Sequence, residues 1–275
     1  MQRDAIGLSL DIAGLPEIRR REFRREHTPA EALEVQSFIE LMDSQTPQER
    51  TLIDHDQSIL EGIIARGDTR DATFSKGPRA LRVWTVDRGR VERFAGVDLV
   101  ILNLDYNSML LMQYKCMDKE LRSQWSYRPN AQFDIEISRM EKVRAMIRER
   151  TPEELKLIDI RLNHGPLYFK FCKRLPLSQQ DGELAEGMMV SLTATKRLLE
   201  SGALHGEKGG RTIGYENCKR YLNNSLFSAL ARDGWIGSRG LTAQHYEEVL
   251  GFIQQKEDYS LVVAESMTTA TPVPW

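Results

Sequence analysis

The clearest pattern of apolar and polar positions lies in the stretch GVDLVILNLDYNSMLLMQYK, residues 96–115. Two runs of mainly aliphatic side chains flank the polar sequence DYNS, which is typical of a turn. The pattern predicts a hairpin with strands at about 97–104 and 109–116. A further strand at about 81–86, rich in β-branched and aromatic residues, is predicted to precede it.

Pairing across a turn centred on Tyr106 and Asn107 predicts that three polar residues meet at one end of this hairpin. In that register residue 98 lies opposite residue 115. Because side chains alternate between the two faces of a strand, Asp98, Gln113 and Lys115 share one face. The opposite face is also largely apolar, so both sides of the hairpin are expected to be covered.

Helical spacing of apolar residues predicts a helix over residues 47–66, before these strands. Leu52, Ile59 and Ile63 form one stripe of this helix, and Asp56 falls on the same stripe. A carboxylate on a buried stripe needs a partner. Asp56 is therefore a candidate fourth member of the polar cluster.

The rest of the chain alternates between helical and extended patterns. Apolar spacing predicts a helix over 133–150, then a short capped helix, then a strand in GPLYFKFCKR. From residue 181 the pattern is mainly helical, with predicted helices over 182–202, 215–232 and 242–255, a final strand at 259–265 and a polar tail. The order of elements predicts an α/β fold with a mixed sheet, divided into a helical N-terminal extension at 1–45, a core at 46–180 and a mainly helical region at 181–275.

A Thr-Pro-x-Glu motif occurs at residues 28–31, 46–49 and 151–154. Thr suits the position before a helix, Pro suits its first position, and the Glu can bond back to the cap. We therefore interpret Glu31, Glu49 and Glu154 as capping groups of helices and not as acids of a catalytic site.

Composition places the chain among ordinary globular proteins. Of its 275 residues 41% are hydrophobic and 28% are charged, and the net charge of −2 gives no overall basic field. The three cysteines include no CxxC pair, which argues against a disulfide framework or a cysteine-rich zinc site. No apolar run has the length of a signal peptide or a membrane span. A reducing, cytoplasmic location without membrane association is expected.

The order helix, three strands, helix, strand over the 46–180 core resembles the PD-(D/E)XK nuclease superfamily, which has a restriction-endonuclease-like αβββαβ core. That family places an Asp at the start of its second strand and Glu-x-Lys at the end of its third. Asp98 takes the first place, after Val97 where the family commonly has Pro. Gln113 and Lys115 occupy the Glu-x-Lys positions, and this Gln-x-Lys form resembles the Mrr-like branch of the family. An acidic residue on the first helix is frequent in the family, and Asp56 matches it.

The resemblance implies a metal-dependent endo- or exonuclease that hydrolyses phosphodiester bonds, with DNA as the expected substrate. Mg²⁺, or Mn²⁺ in its place, would be held by Asp98, Gln113 and the backbone carbonyl of Tyr114. The metal would lower the pKa of a bound water. Lys115 would orient that water or neutralise the scissile phosphate, and Asp56 would complete the catalytic set.

Basic residues supply the expected contacts to nucleic-acid phosphates. Arg139 and Lys142 lie on the helix after the third strand, and Arg220 and Arg239 lie around a glycine-punctuated stretch near the C-terminus. Two other interpretations stay open. One is a catalytically inactive nuclease fold that serves as a nucleic-acid-binding or scaffold module. The other is a plain interaction protein in which Asp98 and Lys115 only form an exposed ion pair. A homodimer or a larger complex also stays open.

Overall fold

The computed structural model describes residues 2–18, 69–76, 79–87, 97–119, 124–173, 184–204, 210–254 and 260–268. The helices in these ranges are α1 (Gln2–Ile12), α2 (Ala131–Arg150), α3 (Leu192–Glu200), α4 (Asn224–Arg232) and α5 (Ala243–Gln254). The strands are β1 (Thr69–Lys76), β2 (Arg79–Asp87), β3 (Leu99–Asn103), β4 (Ser108–Lys119), β5 (Trp125–Tyr127), β6 (Leu167–Lys173), β7 (Gly187–Ser191), β8 (Ile213–Gly214) and β9 (Ser260–Thr268). None of these helices combines the length and the apolar character needed to cross a membrane.

Seven of the strands form one mixed, open sheet in the order β1-β2-β9-β3-β4-β6-β7. β9 runs parallel to β3, and β6 runs parallel to β4, whereas the other neighbours are antiparallel. β5 and β8 continue from the far end of β4 as a short ribbon. β9 therefore joins the interior of the sheet, and the region after residue 181 completes the same sheet as the preceding strands.

Helices cover both faces of the sheet. On one face α2, α3 and α5 share a core with alternate residues of the hairpin, among them Val100 and Leu111. On the other face α1 and α4 share a second core with the intervening residues, among them Leu99 and Met112. The prediction of a mixed α/β fold in which both faces of the β3–β4 pair are covered is confirmed.

The loop after α4 closes the turn end of the hairpin. The buried side chain of Asn103 donates hydrogen bonds of 3.0 and 2.9 Å to the carbonyl oxygens of Ala231 and Arg232, at the C-terminal end of α4. Gly237 has a φ of 120°, and a Cβ added there would lie 2.2 Å from the Ser108 hydroxyl oxygen. Only glycine allows this close approach. The other end of the hairpin, where Asp98 lies, has no such cover from this loop.

A buried ion pair joins α1 to the sheet. The ammonium group of Lys170 on β6 has no exposed surface and pairs with a carboxylate oxygen of Asp4. The other carboxylate oxygen of Asp4 accepts a hydrogen bond of 2.6 Å from the backbone N–H of Ala185. The Lys170 ammonium also lies 5.3 Å from the centroid of the Tyr114 ring, within the range of a cation–π contact. Without Asp4, this charge would be buried unpaired.

Most of the predicted elements after residue 79 are confirmed by β2, β3, β4, α2, β6, α5 and β9. β1 carries no sequence prediction. The predicted helix over 47–66, with Asp56, lies outside the described residues, as do the first two Thr-Pro-x-Glu motifs. The mixed sheet is confirmed, whereas the restriction-endonuclease-like core stays a proposal, because β9 separates β2 from β3.

Two predicted helices are shorter in the structure. The prediction over 182–202 is wrong for its first half, because residues 187–191 form β7 beside β6 and α3 begins only after Ser191. The Ser191 hydroxyl accepts a hydrogen bond of 3.2 Å from the N–H of Ala194. The prediction over 215–232 is wrong for its first half as well. There Asn217 accepts a bond from the N–H of Gly214, and α4 begins only after its cap, Asn223.

The third Thr-Pro-x-Glu motif does not begin a helix, so the prediction that Glu154 caps one is wrong. Thr151 follows the last residue of α2, and its hydroxyl donates a hydrogen bond of 3.0 Å to the carbonyl oxygen of Ile147. Thr151 therefore ends one helix instead of starting the next. The following residues contain only a short 3-10 turn at Leu157–Asp159.

We expect Asp4→Ala to lower the free energy of unfolding by about 3–5 kcal/mol, because it leaves the Lys170 ammonium buried without a counter-charge. Urea unfolding measures this change. Glu186→Ala is the matched control, since it removes the partner of Lys173 from an ion pair in which the Glu186 side chain is 65% exposed. That variant should lose less than about 1 kcal/mol. An equal loss in both variants would contradict the role given to Asp4.

Candidate functional site

The register of the hairpin differs from the predicted one by two residues. Leu99 lies opposite Met112 and Asn103 lies opposite Ser108, so that continuing the pairing sets position 98 opposite Gln113 and not opposite Lys115. The difference follows from a turn of 3-10 helix at Leu104–Tyr106. A displacement by two residues keeps every side chain on its face of the sheet. Position 98 therefore stays on the side of Gln113 and Lys115.

The carboxylate of Asp98 is held by two donors from β4. Its Oδ2 accepts a hydrogen bond of 2.8 Å from the side-chain amide of Gln113 and one of 2.7 Å from the backbone N–H of Tyr114. The backbone N–H of Asp98 donates to the carbonyl oxygen of Met112 at 2.9 Å. Burial raises the pKa of Asp98 to about 6, although the Tyr114 N–H and the nearby Lys115 lower it. Asp98 is thus oriented before any ligand binds.

A second carboxylate reaches the cluster from α2. Glu136 is only 5% exposed, and one of its carboxylate oxygens lies 2.5 Å from the ammonium nitrogen of Lys115. The charge of Glu136 also contributes to the raised pKa of Asp98. The structure therefore brings Asp98, Gln113 and Lys115 together as predicted and adds Glu136 to them.

No sequence prediction included Glu136. Apolar character alone does not identify the buried face of this helix, since the Ile135 side chain is 45% exposed. The residues of α2 that are buried are Phe133, Glu136, Met140, Val143 and Ile147. Their spacing of three and four residues is the signal that could have set Glu136 on the core side of the helix.

The amide oxygen of Gln113 is buried and has no hydrogen-bond partner. Since buried polar atoms are nearly always paired, this oxygen is an acceptor that a bound cation or a water can satisfy. The Gln113 amide nitrogen also lies 3.5 Å from the Tyr114 carbonyl oxygen, which places that carbonyl beside the cluster. Carboxylate, amide and carbonyl oxygens are the ligands that Mg²⁺ prefers, so these residues fit a hard divalent cation.

No group of three or more His, Cys, Asp or Glu side chains suited to a metal ion occurs within the part of the chain that the structure describes. The cluster holds two carboxylates, those of Asp98 and Glu136. A cation bound here would therefore depend on the amide oxygen of Gln113 and on a backbone carbonyl as well. The uncharged Gln113 makes a weaker ligand than a Glu would.

The four basic residues predicted to contact phosphates do not lie together. Arg139 and Lys142 are on α2, one to two turns after Glu136, and Lys142 is exposed. Arg239 lies at the turn end of the hairpin, because the preceding Ser238 donates its backbone N–H to Met109. The length of β3 separates this end from Asp98 by roughly 15 Å. Exposed Arg220 lies near the edge strand β7, next to a bridge between Leu222 and Met189.

No protein-family model, curated protein or solved structure matches this chain. The resemblance to the nuclease superfamily therefore depends on the hairpin residues and on the order of the elements. The roles of the four basic residues and of Asp56, which lies outside the described ranges, stay predictions.

We expect Asp98 to contribute a fall in the free energy of unfolding as the pH rises from about 4 to about 6. Asp98 loses its proton near pH 3.8 in the unfolded chain but only near pH 6 in the folded protein, so ionisation favours unfolding in this window. Asp98→Asn should remove this fall and stabilise the protein above pH 6 by up to about 3 kcal/mol. Denaturant unfolding at a series of pH values measures both effects.

Asp134→Asn is the matched control for this experiment. The pKa of Asp134 is lowered by its hydrogen bonds to Arg211, so its charge stabilises the fold and its removal has the opposite sign. A pH dependence that is the same in the wild type and in Asp98→Asn would show that Asp98 titrates normally.

Proposed function

We propose that this chain is a metal-dependent nuclease that hydrolyses phosphodiester bonds, with DNA as the expected substrate. One observation carries the proposal. Asp98, Gln113 and Lys115 lie on one face at the end of the hairpin away from its turn, and the amide oxygen of Gln113 is buried there without a partner. The Lys115–Glu136 ion pair adds a second carboxylate to the same place.

Asp98, Gln113 and the Tyr114 carbonyl, with Glu136 as the second carboxylate, would hold Mg²⁺ or Mn²⁺. When bound, the metal supplies a water of lowered pKa and neutralises charge on the phosphate. With a pKa of about 6, Asp98 is mostly ionised at neutral pH and can serve as a ligand. The amide of Gln113 keeps that carboxylate in its orientation through the 2.8 Å bond.

Lys115 is the group of the cluster that can meet the substrate phosphate. Its ammonium pairs with Glu136 in this structure. A cation bound by Glu136 would weaken that pair and free the ammonium to stabilise the charge that develops on the scissile phosphate. Arg139 and Lys142 follow along α2 and would contact the phosphates of the neighbouring nucleotides.

A second function is favoured by the way the polar groups of the cluster satisfy one another. Lys115 pairs with Glu136, and Asp98 accepts hydrogen bonds from Gln113 and Tyr114. A catalytically inactive nuclease fold could keep such a network only to stabilise the end of the hairpin. The protein would then be a nucleic-acid-binding or scaffold module, with basic residues such as Arg139 and Lys142 as its contact surface.

We expect the purified protein to cut DNA in the presence of Mg²⁺ or Mn²⁺ and not in EDTA. Lys115→Ala and Asp98→Ala should each lower the rate about 10²–10³-fold, because each removes a charged group that acts on the transition state or on the metal. Gln113→Glu should keep activity and lower the Mg²⁺ concentration required, since it adds a charged ligand and the Tyr114 N–H still orients Asp98. The assay uses single- and double-stranded DNA and RNA.

Lys173→Ala is the matched control, because Lys173 is also an ion-paired lysine at a strand end but lies outside the cluster. Its rate should equal that of the wild type. If the wild type cuts no substrate but binds nucleic acid, and Lys115→Ala binds it with the same affinity, the nuclease function is excluded. The nucleic-acid-binding module is then the function that agrees with the data. In that case the double variant Arg139→Ala/Lys142→Ala should weaken binding and reduce its salt dependence. Absence of both cleavage and binding would exclude both nucleic-acid functions.

A further inference from the structure

Two of the three cysteines lie side by side in the sheet. β4 and β6 are parallel neighbours, and their register sets Cys116 directly beside Cys172. Two residues earlier the same register sets Tyr114 beside Lys170, whose side chains meet at 5.3 Å on the α1 side of the sheet. Because side chains repeat every two residues, both thiols point to that side as well.

The two thiols differ in access to solvent. Cys116 is partly exposed, whereas Cys172 is 7% exposed and lies in the core beneath α1 and α4. Burial raises the pKa of Cys172 to about 12, although Lys170 lowers it. A small oxidant from solvent would therefore react with Cys116 first, and Cys172 lies next to it on the neighbouring strand.

We propose that Cys116 and Cys172 form an oxidisable dithiol site that takes hydrogen peroxide, or another small peroxide, as its oxidant. Neighbouring strands lie roughly 4.8 Å apart, a separation that falls within the Cα–Cα range of disulfides. The proposal rests on the strand register and on the difference in exposure, and it is independent of the nuclease function.

The chemistry takes two balanced steps. The Cys116 sulfur attacks the peroxide, the O–O bond breaks, and the products are a sulfenic acid (S–OH) and one water. The Cys172 sulfur then attacks the Cys116 sulfur, the S–O bond breaks, and a disulfide and a second water form. Overall the two thiols lose two protons and two electrons, and one hydrogen peroxide takes these up to become two waters.

The position of the pair in the sheet would strain the disulfide. Side chains of directly adjacent residues in parallel strands run side by side, so their Cβ atoms are about as far apart as the strands. Disulfides prefer a Cβ–Cβ separation of about 3.8 Å, so closing the bond must draw β4 and β6 together. Strained disulfides are readily reduced, so we expect dithiothreitol to open this bond.

The test treats the full-length protein with hydrogen peroxide, then unfolds it and alkylates the remaining thiols with iodoacetamide before mass spectrometry. We expect one alkylated cysteine, Cys218, instead of three, a peptide that links residues 116 and 172 within one chain, and full recovery after dithiothreitol. Cys218→Ser, the matched control, should form the same link.

Variants of each partner complete the experiment. In Cys172→Ser and in Cys172→Ala, Cys116 should stop at the sulfenic acid and react with dimedone. In Cys116→Ser, buried Cys172 should stay available for alkylation after unfolding. The proposal is overturned if peroxide links Cys116 to Cys218 or to another chain, or if Cys116 of the wild type oxidises while Cys172 is still alkylated. It is equally overturned if all three thiols remain free.

Discussion

The burial of both faces of the β3–β4 hairpin is the constraint on which the rest of this structure depends. Alternate residues such as Val100 and Leu99 belong to two different cores, beneath different sets of helices. A slip by one residue would exchange the two sets, so the face of each residue is strictly specified. Polar side chains lie at its two ends: Asn103 bonds to the end of α4 at the turn, and Asp98 and Gln113 meet at the other end on the side of α2.

Two ion pairs hold helices to the opposite faces of the strands next to this end. Lys115 of β4 pairs with Glu136 of α2, and Lys170 of β6 pairs with Asp4 of α1. Tyr114 lies between them, because its N–H donates to Asp98 while its ring contacts the Lys170 ammonium. Contacts from the helices on both faces of the sheet therefore hold the cluster, and they limit the motion of its side chains before a ligand binds.

Local patterns were enough to predict the parts of the site that depend on period-two alternation. The faces of Asp98, Gln113 and Lys115 follow from that alternation, whereas their exact register depended on a 3-10 turn with no distinct sequence signal. β7 lies within a predicted helix, and its residues Gly187–Val190, which are all buried, lack the alternation that indicates a strand. The place of β9 between β2 and β3 is a contact between distant parts of the chain, which no local pattern specifies.

The central claim is that Asp98, Gln113 and the Tyr114 carbonyl present their oxygens to one divalent cation. Nuclear magnetic resonance of ¹⁵N-labelled protein tests it directly when Mn²⁺ is added below one equivalent, because the bound ion broadens only nearby signals. We expect broadening of the Gln113 side-chain amide and of the backbone amides of Tyr114 and Lys115, and its loss in Asp98→Ala. Broadening confined to the backbone amides of exposed acidic residues such as Glu153 and Glu154, with the amide signals of Gln113, Tyr114 and Lys115 still sharp, would contradict the claim.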